Sequence, residues 1–227
     1  MVKINKDMKI KIIKNGPYVV TGDIPLCEKI IEPTENTYIY KEGRTFPKSE
    51  TYSLCRCGKS KNHPYCDGEH QEAGFDGAEV ASREKYDDRA RVFEGPGVDL
   101  MDDGRCALAR FCHEKHGSVW QQIKKTDDQQ AKEEVIRGAI NCPTGRLVAV
   151  DKETGEKIEP ELEPCIEILQ DREKGVSGPL YVKGNIPIES SDGTTYEVRN
   201  RIGLCRCGKS KDTPFCDGEH LKKEFKD

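Results

Sequence analysis

The 227 residues are 34% charged and 34% hydrophobic, enough for one or two ordinary cores but lean in apolar surface, a shortage that small cofactor-held modules would relieve. A formal net charge of only -4 supplies no basic field for a phosphate backbone or an anionic membrane surface, which argues against nucleic acid and membrane partners. No apolar run approaches the roughly 18 to 20 residues that span a bilayer, and the opening MVKINKDMKIKIIKNG has no leader-like apolar stretch.

In chain order, alternation in Lys9-Ile10-Lys11-Ile12 predicts a strand, Asn15-Gly16-Pro17 a turn, and Tyr18-Val19-Val20 and Tyr38-Ile39-Tyr40 further strands. The composition then becomes helical. Thr126 or Asp127 is a candidate cap for a helix whose apolar face is Ala131, Val135, Ile136, Ala139 and Ile140, ending before Cys142-Pro143. A strand is expected over 146–150, followed by a turn at Glu153-Thr154-Gly155. Leu180-Tyr181-Val182 and Thr195-Tyr196-Glu197-Val198 are predicted strands near the far end. Trp120, with Val119 and Ile123 at helical spacing, reads as core.

The chain repeats itself. Leu54-Cys55-Arg56-Cys57-Gly58-Lys59-Ser60-Lys61 returns as Leu204-Cys205-Arg206-Cys207-Gly208-Lys209-Ser210-Lys211, and both copies run on through a proline, an aromatic and CDGEH. Upstream, Gly16-Pro17 and Gly22-Asp23-Ile24-Pro25 reappear as Gly178-Pro179 and Gly184-Asn185-Ile186-Pro187, so each unit is expected to be a small β-rich domain rather than a loop. The expected division is 1–78, 79–161 and 162–227.

Eleven cysteines are an odd count, and most fall into groups that recur with ligand spacing. A disulfide scaffold predicts even numbers and a leader; metal-binding thiolates predict a reducing compartment, so the expected location is the cytoplasm. Each repeat offers CxC, eight residues, Cys, three residues, His: Cys55, Cys57, Cys66 and His70, then Cys205, Cys207, Cys216 and His220. Three thiolates and an imidazole also suit structural zinc. Zinc sites usually space paired cysteines by two to four residues, however, and CxC suits a wider binuclear core.

CRCGKSKNHPYCDGEH and CRCGKSKDTPFCDGEH resemble the CDGSH iron-sulfur family, with its signature CxCxx(S/T)xxxPxCDG(S/A/T)H, over the first third and last quarter of the chain. The resemblance implies a 2Fe-2S cluster on each set of three cysteines and one histidine. Glu69 and Glu219 replace the usual small residue; that position does not ligate, and its carboxylate is expected to favour the oxidised state. Gly68 and Gly218 are expected to supply unusual backbone angles, Asp67 and Asp217 to cap the following turn, Ser60 and Ser210 to bond to backbone, Pro64 and Pro214 to stiffen the loop, and Lys59 and Lys209 to be solvated. A ligating imidazole keeps a second nitrogen that exchanges a proton as cluster charge changes, so electron transfer is expected to couple to pH, and protonation of His70 or His220 to loosen a cluster.

Between the modules, Cys106, Cys112 and Cys142 form Cx5C with a distant Cys-Pro, similar to single-cluster bacterial ferredoxins. Ala109 stands where a complete Cx2Cx2C site has its middle cysteine, as in three-cysteine ferredoxins that hold a 3Fe-4S cluster. His113 or His116 could supply a fourth ligand and permit 4Fe-4S, but both read as surface histidines. The opposing reading is a ferredoxin-like domain that has lost its cluster and packs its thiols as small hydrophobes. Cys27 and Cys165 have no partner at ligand spacing and read as buried inert thiols; His63, replaced by Thr213 in the second copy, reads as a spectator.

The expected fold is α+β: two CDGSH modules, which in the family pair through β strands as homodimers, here forming a pseudo-symmetric pair within one monomer, with a ferredoxin-like α+β domain inserted. The expected function is one-electron transfer rather than enzymatic turnover, with cluster storage or delivery to an apo-acceptor protein as the alternative and a structural zinc protein as a third reading. The redox partner is not readable from the sequence.

Overall fold

The computed structural model describes residues 8–227; residues 1–7 of the expected first module lie outside the described residues. The first repeat supplies β1 (Lys9–Ile12), β2 (Tyr18–Thr21), β3 (Leu26–Pro33), β4 (Tyr38–Thr45), β5 (Thr51–Leu54) and the short α1 (Glu69–Glu72). The middle holds α2 (Tyr86–Arg89), β6 (Arg91–Phe93), β7 (Val98–Asp102), β8 (His113–Glu114), β9 (Gly117–Ser118), α3 (Val119–Gln122), a 3-10 turn, α4 (Gln129–Ile140), β10 (Leu147–Asp151) and β11 (Lys157–Ile158). The second repeat gives β12 (Cys165–Asp171), β13 (Val176–Lys183), β14 (Ile188–Glu189), β15 (Arg201–Leu204) and α5 (Glu219–Lys222). The architecture is mixed and mostly sheet.

The repeats are not separate sheets. One sheet runs β14-β1-β2-β5 and another β15-β13-β12-β3-β4, so each repeat lends strands to the other. In both cases the lent strand leaves a Gly-x-Ile-Pro turn and pairs parallel to its host: Ile10 lies opposite Ile188 where β14 joins β1, and Leu26 opposite Ile166 where β3 joins β12. The alternation of β1 turns Ile10 and Ile12 inward while Lys9 and Lys11 face out, where both reach Glu189. A shared apolar core results, mixing Ile10, Tyr18 and Leu54 from one repeat with Ile168, Leu180 and Leu204 from the other. Each such side chain contributes about 1.5–3 kcal/mol by leaving water, and those contributions are shared across the two repeats.

The middle segment builds its own sheet, β11-β10-β7-β6, against α4 and a second core of Val98, Leu100, Val135 and Leu147. The N-cap of α4 is Asp128, whose carboxylate accepts from Ala131 N at 3.0 Å. Neither Thr126 nor Asp127 caps this helix: the Thr126 hydroxyl closes the preceding turn on the Ile123 carbonyl and accepts from Gly97 N. Arg201 of β15, wholly buried, donates to the Ala139, Ile140 and Cys142 carbonyls at the end of α4 and pairs with Glu159. The negative end of a helix, where its last carbonyls point, attracts a guanidinium, and this contact pins the middle segment to the second repeat.

One predicted strand does not form. Thr195 makes only an isolated bridge to Glu189, and Val198 is outside any strand. Glu197 instead accepts from Tyr86 N at 2.7 Å and Tyr196 reaches Glu79 at 2.8 Å, so contacts to the segment after the first repeat replace the ladder. The first repeat keeps a long β3–β4 hairpin at the equivalent place.

Candidate iron-sulfur sites

Each CDGEH loop begins where a strand ends. After β5, Cys55 N donates to the Pro64 carbonyl and Cys66 N to the Ser53 carbonyl, closing the loop on its own strand; Cys205 to Pro214 and Cys216 to Gly203 repeat the pattern after β15. The Ser60 hydroxyl donates to Tyr65 O at 2.7 Å and accepts from Asn62 N at 3.0 Å, and Ser210 does the same with Phe215 and Asp212. Asp67 accepts from Lys61 N and Glu69 N, as Asp217 does from Lys211 N and Glu219 N. Gly68 and Gly218, at φ 93° and 88°, turn the chain into α1 and α5 through a region most residues avoid. The hydrogen bonds predicted for the serines and aspartates and the left-handed angles predicted for the glycines are present, and Lys59 and Lys209 are exposed.

The loops bring their donors together in pairs. Cys55 and Cys57 place their sulfurs 3.7 Å apart, and Cys66 Sγ lies 3.4 Å from His70 Nδ1. The second loop gives 3.6 Å for Cys205 and Cys207 and 3.5 Å for Cys216 and His220 Nδ1. One thiol of each CxC is poised to ionise. Burial pushes Cys55 up, but the His63 imidazole and the Ser60 and Gly58 N–H groups outweigh it and leave it at about 7. Cys205 is lowered to about 6, first by hydrogen bonding to Cys207, against burial. The other member of each pair moves the opposite way: Cys57 is raised to about 11, mainly by burial, and Cys207 is raised by its bond to Cys205.

The surroundings differ. Cys66 and His70 are half-buried, whereas Cys216 and His220 are buried. Burial first, and the Arg206 charge second, lower His220 to about 4 and keep its imidazole neutral. The cover over the second loop includes the middle segment, since a Cβ on Gly218 would meet Leu108 Cδ1 at 2.7 Å and Cys106 O at 3.3 Å. The two CDGEH loops also touch: a Cβ on Gly58 would strike Cys207 O at 2.5 Å, and one on Gly208 would strike Cys57 O at 2.3 Å. Tyr18 of the first repeat donates to Cys205 O at 2.7 Å.

Cys106, Cys112 and Cys142 line one small pocket with Ala109, Arg110 and Arg146. The loop winds around it with Leu108 and Arg110 at φ 55° and 69°, and Leu108 N donates to Cys106 Sγ at 3.2 Å. Burial, reinforced by Cys142 and Cys106, pushes the Cys112 thiol up to about 12. His113 and His116 are exposed and do not line this pocket; His116 pairs with Glu134 instead.

Two expectations need correction. Cys27 and Cys165 are neither solitary nor buried: both are half-buried and their sulfurs lie 3.8 Å apart, brought together by the β3–β12 pairing. His63 is no bystander, because its ring packs edge-on against Phe225 of the other repeat at 5.8 Å besides acting on Cys55. Sequence reading also passed over Arg56 and Arg206, the x of both CxC motifs. Arg56 donates to Gly77 O at 2.7 Å, while Arg206 donates to Gly178 O at 2.7 Å and pairs with Asp227. Their identity in both copies was the available signal.

Residues 15–71 and 177–221 match the family model described as iron-binding zinc finger CDGSH type, and residues 93–152 match divergent 4Fe-4S mono-cluster. Searches of curated proteins and of solved structures return no match. The duplicated loops, their paired donors and the interposed three-cysteine pocket thus agree with the two family models: the chain carries two CDGSH-type modules in tandem, with a divergent 4Fe-4S segment between them.

Proposed function

We propose that the chain is a one-electron carrier with two 2Fe-2S sites, on Cys55, Cys57, Cys66, His70 and on Cys205, Cys207, Cys216, His220, and a third cluster site on Cys106, Cys112 and Cys142. The observation that carries this reading is the two-plus-two grouping of donors in both loops. A single tetrahedral zinc with arms of about 2.3 Å would draw its donors to roughly 3.8 Å from one another. Among the described residues, three such donors gather within 4.8 Å only at Cys27, Cys165 and Glu167, not in either CDGEH loop. Two donor pairs held apart suit a core with two irons. The middle pocket offers three thiols and an alanine, which favours 3Fe-4S over a four-thiolate cube.

A cluster at each site would supply reversible one-electron chemistry. The protein's part is to hold the thiolates, keep water away and manage the accompanying proton. Backbone N–H groups of residues 58 and 60 and of 208–210 favour the thiolates of Cys55 and Cys205. Ligation through Nδ1 leaves Nε2 of each histidine to carry the proton that balances a change in charge. The sites adjoin in the order middle, second, first, through Cys106 and Leu108 against Gly218 and through the Gly58 and Gly208 contacts, an arrangement suited to a relay within one chain. Under this reading the repeats form an internal pseudo-symmetric pair, with module boundaries near 79 and 162 and a monomer as the functional unit.

Anaerobic purification with iron and sulfide counts and low-temperature paramagnetic resonance tests the proposal. Four irons per chain are expected from the two loops and seven from all three sites; colourless, sulfide-free, zinc-loaded protein would overturn it. The half-buried Cys66 and His70 favour a second reading, delivery of a cluster from the first loop. Mixing holoprotein with an apo-ferredoxin checks this, and absence of transfer in both redox states would remove it.

A further inference from the structure

Cys27, on β3, and Cys165, the first residue of β12, meet at the parallel seam where a strand of the first module enters the sheet of the second. No role in cluster binding uses them. Their sulfurs are 3.8 Å apart, so a shift of about 1.8 Å would bring them to disulfide length, and both remain partly open to solvent. Glu167 lies opposite Cys27, with its carboxylate near both sulfurs. That carboxylate is already claimed: Lys183 pairs with it directly and Lys29 stands 3.9 Å away. A divalent cation here would face two ammonium groups and find no free third donor, so the surroundings suit anionic sulfur rather than metal.

We propose that Cys27 and Cys165 form a redox-active dithiol whose oxidation cross-links the two CDGSH modules. Low-molecular-weight disulfides are the oxidant class. The Cys27 thiolate attacks one sulfur of the disulfide, the S–S bond breaks, and one small thiolate leaves. Cys165, after losing its proton to solvent, attacks Cys27 Sγ, forms the intramolecular bond and expels the second small thiolate. Two protein thiols and one small disulfide become one protein disulfide and two small thiols, with two electrons passed to the small molecule. The roles follow from the surroundings. Hydrogen bonding to Cys165 lowers the Cys27 thiol most; burial and Glu167 oppose this, and Lys183 and Lys29 assist it. Cys165 is raised, chiefly by that same bond to Cys27, and so keeps its proton until the second step.

The test uses cluster-loaded protein, so that the ligand thiols are occupied. It is incubated anaerobically with glutathione disulfide, blocked with an alkylating reagent and mapped by peptide mass spectrometry. A 27–165 cross-linked peptide is expected, together with faster migration on a non-reducing gel, a raised Tm and unchanged visible absorbance. Cys27→Ser should abolish all three changes. Cys165→Ser should instead trap a glutathione adduct on Cys27, an outcome that a merely structural thiol would not give. Alanine at either position provides the same comparison should serine disturb folding. If excess glutathione disulfide yields no 27–165 peptide and Cys165→Ser takes up no adduct, the proposal is wrong. It is equally overturned if the pair retains one equivalent of zinc that Cys27→Ser and Cys165→Ser both release.

Discussion

The two CDGEH loops share their ligand types, their serine and aspartate hydrogen bonds and their left-handed glycine, yet one is open and the other closed. Cys66 and His70 are half-buried; Cys216 and His220 are buried under Leu108 and the loop around Cys106. A short loop therefore fixes the donor geometry, while segments far away in sequence determine water access and the proton affinity of the histidine. Duplication within one chain allows this divergence, because the insertion can lie over one copy only, whereas two identical chains would have to cover both copies or neither.

The largest effect is expected where the loops are alike. Gly58 and Gly208 sit at φ 70° and 67°, each with the other loop's backbone carbonyl where a side chain would stand. Alanine at either position adds left-handed strain of roughly 1–2 kcal/mol to a clash that only backbone movement relieves. A loss of about 3 kcal/mol or more is expected from Gly58→Ala and from Gly208→Ala, read by denaturant unfolding of the cluster-free protein, with reduced iron at both sites. Gly68→Ala is the control. Its φ is also positive, but nothing lies within 4 Å of the added carbon, so it should cost only the strain. Equal losses at positions 58 and 68 would show that contact between the loops contributes nothing.

How much of this was legible follows from how local each cause is. The ligands, the serine and aspartate bonds and the glycine turns lie within one sixteen-residue stretch, so spacing and residue chemistry were sufficient to find them. The amphipathic α4 and strand β10 were equally readable from periodicity. The strand exchange was not, because Ile10 meets Ile188 and Leu26 meets Ile166 through pairings that no local pattern encodes. The Cys27–Cys165 contact was missed for the same reason: its members are 138 residues apart and meet only once β3 has crossed into the other sheet. Thr195–Val198 misled in the opposite direction. Its β-prone composition was overridden when Glu197 and Tyr196 found partners at Tyr86 and Glu79.

The second effect concerns protons. His220 is held neutral in the folded, cluster-free protein down to about pH 4, whereas in the unfolded chain a histidine takes up its proton near 6.5. Between those values the unfolded state binds more protons, so stability rises with pH. This contribution is fully present above about 6.5, falls as pH drops toward 4, and amounts to on the order of 3 kcal/mol by linkage. Unfolding midpoints measured across this window should decline in the wild type, and His220→Gln should flatten that part of the decline. In the holoprotein, acid should bleach visible absorbance in two phases, the half-buried first site before the second. Bleaching in a single phase would show that the difference in burial has no bearing on how the clusters are held.

The smallest effect tests the cover itself. Leu108 is 40% exposed but sets its Cδ1 against the backbone at Gly218, so Leu108→Ala removes only a partly buried side chain and should cost about 1 kcal/mol of stability. Its consequence should instead appear as a change in the second site relative to the first. With the branched side chain gone, water and small chelators gain a path toward Cys216 and His220, and iron loss to a chelator should accelerate at the second site while the first is unaffected. The two rates, distinct in the wild type, should converge, read as the merging of two exponential phases in absorbance decay at fixed chelator concentration. If the phases stay apart, the protection of the second site comes from its own loop and from the Arg206–Asp227 pair beneath it rather than from the inserted segment.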